Sequence, residues 1–397
     1  MNNKFDIIII GSGLGGLTAG ALLAQNNKKC LVIEMHNKVG GFSTCFKRGV
    51  YTFESALHNM GPLYENKFFA KIMDKLQILD KIKYKKFDEF QRIIFPEHDY
   101  VIKNGTKGFI NYLVNNFKEE EKGIINVFKI IKSIWKEIEE INSQEFSMEY
   151  LLTEYPMLPV KFPNLVTMVD KTIGELLDEN LKNEKLKGLI SNTWWFFGLP
   201  PDKCASILFS IPSYNYIEFN GGILLEKSQT LSDALADKIK EFNGEVLLNT
   251  EVIKINIDEN SVKSIETNNE ETYFADCIIS NANPVDTILN MIDEDKIKKD
   301  YRKKIKQAKL SISALQLYLG LDCDPKKLGM ENNSVSVFKT YDHGECYEHI
   351  LQGNYDKSCY FMTNFTSYDE KIKNTGRGVL NILTLDHIKN WENLNKE

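Results

Sequence analysis

Apolar residues are packed most densely near the N-terminus, where FDIIII (Phe5 to Ile10) runs with one polar interruption. A strand covered on both faces by helices requires such a run. LTAGALLAQNN follows with the leucine and alanine content of a helix lying on a sheet, and KKCLVIE (Lys28 to Glu34) is a second apolar strand ending in a carboxylate. Further on, Leu231, Ala234, Leu235, Lys238 and Ile239 recur at helical spacing, Asn243-Gly244 closes that helix, and Glu245 to Ile257 alternates as strands do. FADCIISNANP (Phe274 to Pro284) reads as a strand with a small polar turn at its end, and SISALQLYLGL and GRGVLNILTL read as late strands. Between Lys122 and Ile141, residues Ile124, Phe128, Ile131, Trp135, Ile138 and Ile141 form one apolar stripe. This pattern predicts a core-facing helix, with a helix lying in a membrane interface as the alternative.

Between the first strand and the first helix stands Gly11-Ser12-Gly13-Leu14-Gly15-Gly16. In a strand, turn, helix, strand unit, Gly11 permits the turn, Gly13 lets backbone approach a pyrophosphate, and Gly16 lets helix and strand pack closely. The helix N-terminus faces the phosphates, and Glu34 accepts hydrogen bonds from a ribose diol. A dinucleotide is the ligand this arrangement predicts. Gly40 and Gly41 repeat the device of backbone without side chains soon after Glu34 and Met35.

The stretch GGFSTCFKRGVYTFESALHNMG resembles the family of phytoene desaturases, carotenoid isomerases and retinol saturases, whose pattern runs from a Gly pair to Phe-Asp and, in the retinol saturase branch, Gly-x-His. Here these positions read Phe53-Glu54 and Ala56-Leu57-His58. The likeness continues through TIGELLDENLKNEKLKGLISNTWWFFGLPPDKCAS and through Tyr216 to Ile255, where ILLEK separates Gly221-Gly222 from Ser228-Gln229. The resemblance implies FAD as cofactor, with NAD(P) open as a second electron carrier, and an extended isoprenoid or polyene lipid as substrate, to be desaturated, saturated or isomerised. It places the backbone of Val252 against the adenine and Asn281 at the turn that returns to the dinucleotide. His58 is then a proton donor or polar contact near the flavin edge, or a structural histidine. Glu54 holds backbone or ribityl hydroxyls, or pairs with Lys47 or Arg48. Lys38 neutralises phosphate or is simply solvated. Relatives also close over the flavin with a C-terminal turn and helix, so a continuation or partner chain is expected to complete the flavin site. The rival readings are an incomplete or non-catalytic flavoprotein and an amine oxidase-type enzyme.

The implied fold class is α/β: a discontinuous Rossmann-like FAD-binding domain (residues 1–65 and 216–290) with an inserted helix-rich and β-sheet substrate domain. Residues 66–215 supply its helical cap and 291–397 its strands and helices. A chain of 397 residues accommodates two such domains. With 43% hydrophobic and 26% charged residues it is ordinary for a globular protein, and a net charge of -6 does not suggest nucleic acid. The 7 cysteines form no C-x-x-C pair, so no zinc site is expected. With an N-terminus that enters a strand at once, they predict a cytoplasmic protein, with peripheral membrane contact left open. The aromatic cluster TWWFFGLPP (Thr193 to Pro201) reads as core packing, although the resemblance sets such helices over an apolar tunnel.

Overall fold

The computed structural model describes residues 3–65, 67–143, 155–259 and 261–392. The chain forms two compact units. Met1–His58, Lys71–Lys83 and Leu224–Leu310 make the first; Asn59–Ala70, Tyr84–Ile223 and Ser311–Glu397 make the second.

In the first unit the run FDIIII becomes most of β1 (Lys4–Ile10), with Phe5, Ile8, Ile9 and Ile10 all buried. It pairs in parallel with β2 (Cys30–Ile33) on one side and β12 (Thr272–Ser280) on the other. β9 (Glu245–Leu247) extends the parallel set beyond β2. β10 (Val252–Asp258) and β11 (Ser261–Thr267) form an antiparallel meander with the start of β12, giving the order β10-β11-β12-β1-β2-β9. A hairpin of β3 (Cys45–Arg48) and β4 (Tyr51–Glu54) follows β2. Helices Leu14–Gln25 and Ser228–Glu241 pack against each other and against this sheet. Gly20 permits that approach: a Cβ there would lie 3.0 Å from Ile239 and 3.1 Å from Ile9 and Val32.

The units are cut differently from the expected segments. Lys71–Lys83, assigned above to the cap, belongs to the first unit: Gln25 Nε2 donates to Lys75 O at 2.8 Å, and Leu225 N donates to Lys83 O at 2.8 Å. The far limit is Leu310 rather than residue 290, because helix Lys299–Lys306 packs on helix Pro284–Leu289 and Arg302 donates to Ile288 O at 3.2 Å. Residues 216–223 lie with the second unit. The short strands β5 (Tyr84–Lys86) and β8 (Gly222–Leu224) stand where the chain passes between units.

The second unit joins helices to a sheet built from distant segments. Its strands β6 (Gln91–Ile94), β7 (Asp99–Ile102), β13 (Ser313–Leu321), β14 (Ser334–Val337), β15 (Tyr360–Asn364) and β16 (Gly378–Asp386) run in the order β13-β16-β15-β14-β6-β7, with only β14 and β6 parallel. The amphipathic stripe lies on helix Glu121–Ser143, which buries Ile124, Val127, Phe128, Ile131 and Ile134 in the core of this unit. Glu137 on the same helix is buried too, accepting from Asn164 Nδ2 at 2.6 Å and Leu165 N at 2.7 Å. The face proposed for a membrane interface is therefore an internal one. No helix among the described residues is long and apolar enough to cross a membrane. The rings of TWWFFGLPP also pack inward: Trp194 is fully buried, and Trp195 stacks on Phe361 at 3.6 Å and on Phe196 at 4.1 Å.

His343 begins helix His343–Leu351 among the rings of Trp194, Phe338 and Phe95. Its Nε2 lies 2.9 Å from the carbonyl of Gly188, which can only accept, so Nε2 carries a proton. Burial pushes its pKa down from 6.5 to about 4. As pH falls from 6.5 towards 4 the unfolded chain binds a proton that the folded one excludes, and stability is lost across that window. The full loss is on the order of 3 kcal/mol at 1.36 kcal/mol per pH unit. Urea midpoints measured from pH 7 to pH 4 should fall less steeply in His343→Phe than in the wild type. Equal slopes would assign the acid sensitivity to other groups.

Candidate cofactor site

The glycine turn is held by the ends of three strands. Gly11 leaves β1 with φ +91°, and its N–H donates to Ile33 O at 2.8 Å, at the end of β2. Ser12 is fully buried; its N–H and its hydroxyl both donate to Glu34 Oε2, at 2.9 and 2.6 Å. The other oxygen of Glu34 accepts from His36 N at 2.9 Å. The backbone of Glu34 is tied to the end of β9 and the turn that follows it, donating to Leu247 O at 2.9 Å and accepting from Thr250 N at 3.0 Å. A carboxylate offers about four acceptor positions. Three are engaged by the protein itself, which leaves one acceptor position.

The second glycine pair docks onto the first turn. Gly40 N donates to Ser12 O at 2.9 Å, and Gly13 and Gly40 form a parallel bridge. A Cβ on Gly41 would lie 3.3 Å from Gly13 Cα, and one on Gly40 only 2.4 Å from Ser43 O. Both residues also have positive φ, so the pair is required by backbone conformation as well as by space. Gly16 is the tightest position of the first turn, since its Cβ would lie 2.2 Å from Gly11 O. It closes strand end onto helix start. Helix Leu14–Gln25 begins at Gly13 with no side-chain cap, so its first N–H groups point into the turn without a side-chain acceptor.

The remaining candidates are placed as follows. Asn281 follows β12, donates its backbone N–H to Ile10 O at 2.8 Å, and sets its side chain against the glycine turn. Val252 opens β10 with its side chain buried in the same apolar core as Ile8, Ile10 and Ile33. Met35 is 69% exposed just beyond Glu34. Lys38 directs Nζ to Cys45 O at 3.0 Å, which bridges its own loop. Glu54 is buried and takes both donors of Ser228, the N–H at 2.8 Å and the hydroxyl at 2.5 Å. It thereby caps helix Ser228–Glu241, whose own N-cap residue Lys227 supplies no side-chain bond. Burial raises the Glu54 pKa, and the two bonds from Ser228 oppose that rise. His58 is half-buried and ends the first segment of the unit.

Residues without an assigned role in the sequence reading complete the arrangement. Gln229 Nε2 donates to Val39 O at 3.0 Å, the Thr44 hydroxyl donates to Gln229 Oε1 at 2.5 Å, and the Ser232 hydroxyl donates to Ser43 O at 2.7 Å. The first turns of helix Ser228–Glu241 thus brace the loop that carries Gly40 and Gly41. The Ser-Gln pair was the visible signal for this, but only the fold shows which loop it reaches. Among the described residues, no group of three or more His, Cys, Asp or Glu side chains is placed to hold a metal ion.

Comparison with known proteins agrees with this geometry. Residues 9–76 match the NAD(P)-binding Rossmann-like domain family. An inactive all-trans-retinol 13,14-reductase of Danio rerio is 23% identical over 99% of this chain and 68% of its own length. Prolycopene isomerase 2 of an Oncidium hybrid is 24% identical over 98% and 66%, and a 4,4'-diapophytoene desaturase of a Methylomonas species 23% identical over 96% and 73%. The chain thus spans about two thirds of the length of the first two relatives. Among solved structures, an oxidoreductase from Methanosarcina mazei superposes with a TM-score of 0.63 at 15% identity, covering 98% of this chain and 81% of that one. A putrescine oxidase does so with a TM-score of 0.63 at 12% identity, covering 99% and 78%. Likeness over nearly the whole chain, centred on a glycine turn locked to the acidic end of the second strand, makes this chain similar to retinol 13,14-reductases, prolycopene isomerases and diapophytoene desaturases, with a Rossmann-like nucleotide-binding segment at residues 9–76.

Proposed function

We propose that the first unit holds FAD and that the protein is a flavin oxidoreductase acting on an extended isoprenoid or polyene lipid, such as a carotenoid or retinoid. The observation that carries this reading is the junction of Ser12, Glu34 and Gly40, which brings both glycine segments and a buried carboxylate to one uncapped helix N-terminus. The residues fit the group. Side chains at Gly40 or Gly16 would collide with backbone, and the first N–H groups of the helix suit a pyrophosphate. Glu34 would give its remaining acceptor position to the adenosine ribose, and the backbone at Val252 and Met35 would flank the adenine. When bound, the flavin supplies hydride chemistry that no side chain offers. The chain's own contribution is to orient the dinucleotide. NAD(P) as a second electron carrier, a proton-donating His58 and a further segment or partner chain that contacts the isoalloxazine are parts of the same proposal.

The relatives act on conjugated hydrocarbons by their names, which favours a polyene over a small polar amine. The likeness to putrescine oxidase, at 12% identity, concerns the fold alone. A cofactor-holding protein without turnover is the second reading, favoured by a relative whose name includes the word inactive.

Titration of the protein with FAD, followed by flavin fluorescence, should give saturable binding. Glu34→Ala should weaken it about 10- to 100-fold, because a charge-assisted hydrogen bond of about 1.5–3 kcal/mol is lost and Ser12 loses its acceptor. Wild-type affinity in a folded Glu34→Ala protein would remove Glu34 from the site. In anaerobic mixtures, the flavin spectrum should respond to polyenes or isoprenoids. Bleaching by small amines alone would move the protein to the amine oxidases, and tight FAD binding with no response to any of these compounds would favour the non-catalytic reading.

A further inference from the structure

The glycines of the first turn share one neighbour. A Cβ on Gly13 would lie 2.8 Å from Asn281 Nδ2, one on Gly15 2.9 Å from Asn281 Oδ1, one on Gly16 3.3 Å from Asn281 Cβ, and one on Gly11 3.3 Å from the Asn281 carbonyl carbon. The carboxamide therefore spans the space above Gly13 and Gly15, beside the uncapped start of helix Leu14–Gln25. Its position is set by the sheet. Ser280 is the last residue of β12 in register with β1, opposite Ile10, and the next N–H, that of Asn281, donates to Ile10 O. The Ser280 hydroxyl meets that of Thr287 at 2.7 Å, and the Asn283 side chain caps the helix beginning at Pro284. The backbone of this turn is held on both sides. The Asn281 side chain is exposed, and among the described residues its carboxamide makes no hydrogen bond.

We infer that the Asn281 carboxamide is a gate on the phosphate cradle, filling the space that the glycines leave clear, and that a pyrophosphate reaches the helix N-terminus only after this side chain rotates away. The inference rests on the dinucleotide reading above. A phosphate laid along the turn needs the volume over both Gly13 and Gly15, and the amide occupies both. The carbonyl end over Gly15 repels phosphate oxygens while the NH2 end over Gly13 is a donor, so it is the volume of the group that excludes the phosphate. Rotation breaks no hydrogen bond, and exposed side chains change rotamer in picoseconds to nanoseconds. The gate is therefore never slow. It acts by lowering the fraction of molecules competent to bind, which scales down the association rate constant and the affinity by the same factor.

Stopped-flow mixing with FAD and with ADP tests this. Asn281→Ala should raise the association rate constant and the affinity together, by roughly two- to tenfold, with dissociation unchanged. Asn281→Leu, which keeps the bulk, should not gain. If Asn281→Ala instead binds more weakly through faster dissociation, the side chain is a phosphate donor and the gate is overturned. Unchanged association in Asn281→Ala overturns it as well. Failure of the wild type to bind either FAD or ADP would overturn the dinucleotide reading itself, a result distinct from binding without a gain in the alanine variant. Far-ultraviolet circular dichroism of both variants confirms that the comparison is between folded proteins.

Discussion

A buried carboxylate has to be surrounded by hydrogen-bond donors, and the nucleotide unit is organised around meeting that requirement for Glu34. Its charge is shared among the N–H and hydroxyl of Ser12 and the N–H of His36, so the first turn cannot drift from the end of β2 without stranding a desolvated anion. Gly40 hangs from the carbonyl of the same Ser12, and the end of β9 and the turn that follows it are tied to the backbone of the same Glu34. One residue, through its side chain and its backbone together, thereby sets the mutual position of segments that are more than two hundred residues apart.

The same device recurs elsewhere in the chain. Glu54 gathers the first donors of helix Ser228–Glu241, Glu137 those of helix Pro163–Met168, and Glu218 accepts from Thr106 N at 2.9 Å at the start of helix Gly105–Asn116. In each case a carboxylate from one segment meets the positive end of a helix from another, which satisfies orphan N–H groups and complements the helix dipole together. None of the N-cap residues of these helices, Lys227, Phe162 and the left-handed Asn104, makes a side-chain capping bond.

This explains what could and could not be read from the sequence. The strand FDIIII, the glycine spacing and Glu34 were legible because their requirements are local: burial on both faces, positive φ, and a carboxylate at a strand end. Long-range tasks leave no local trace. Asn281 is an ordinary asparagine in a strand-ending turn until the sheet brings it onto the glycines, and Glu54 looks like a partner for Lys47 or Arg48 until Ser228 arrives. Similarly, QRII and DYVI are too short to announce β6 and β7, whose place depends on β14, more than two hundred residues later. The stripe of helix Glu121–Ser143 was legible as amphipathic, while the choice between core and lipid required its neighbours.

The pairing of β1 carries a consequence for how the protein is made. Asn3 Nδ2 reaches Thr272 O across 269 residues, and every register pair between β1 and β12 closes a loop of similar size. At ribosomal speeds of about 5–20 residues per second, β1 emerges roughly a quarter of a minute to a minute before the strand that covers its second edge. During that interval one of the most apolar strands of the chain has an unpaired edge, and such an edge recruits whatever strand is nearest. The yield of folded protein should therefore depend on chaperones that shield the first sixty residues, and faster translation of the middle of the message would shorten the period in which misassembly can begin.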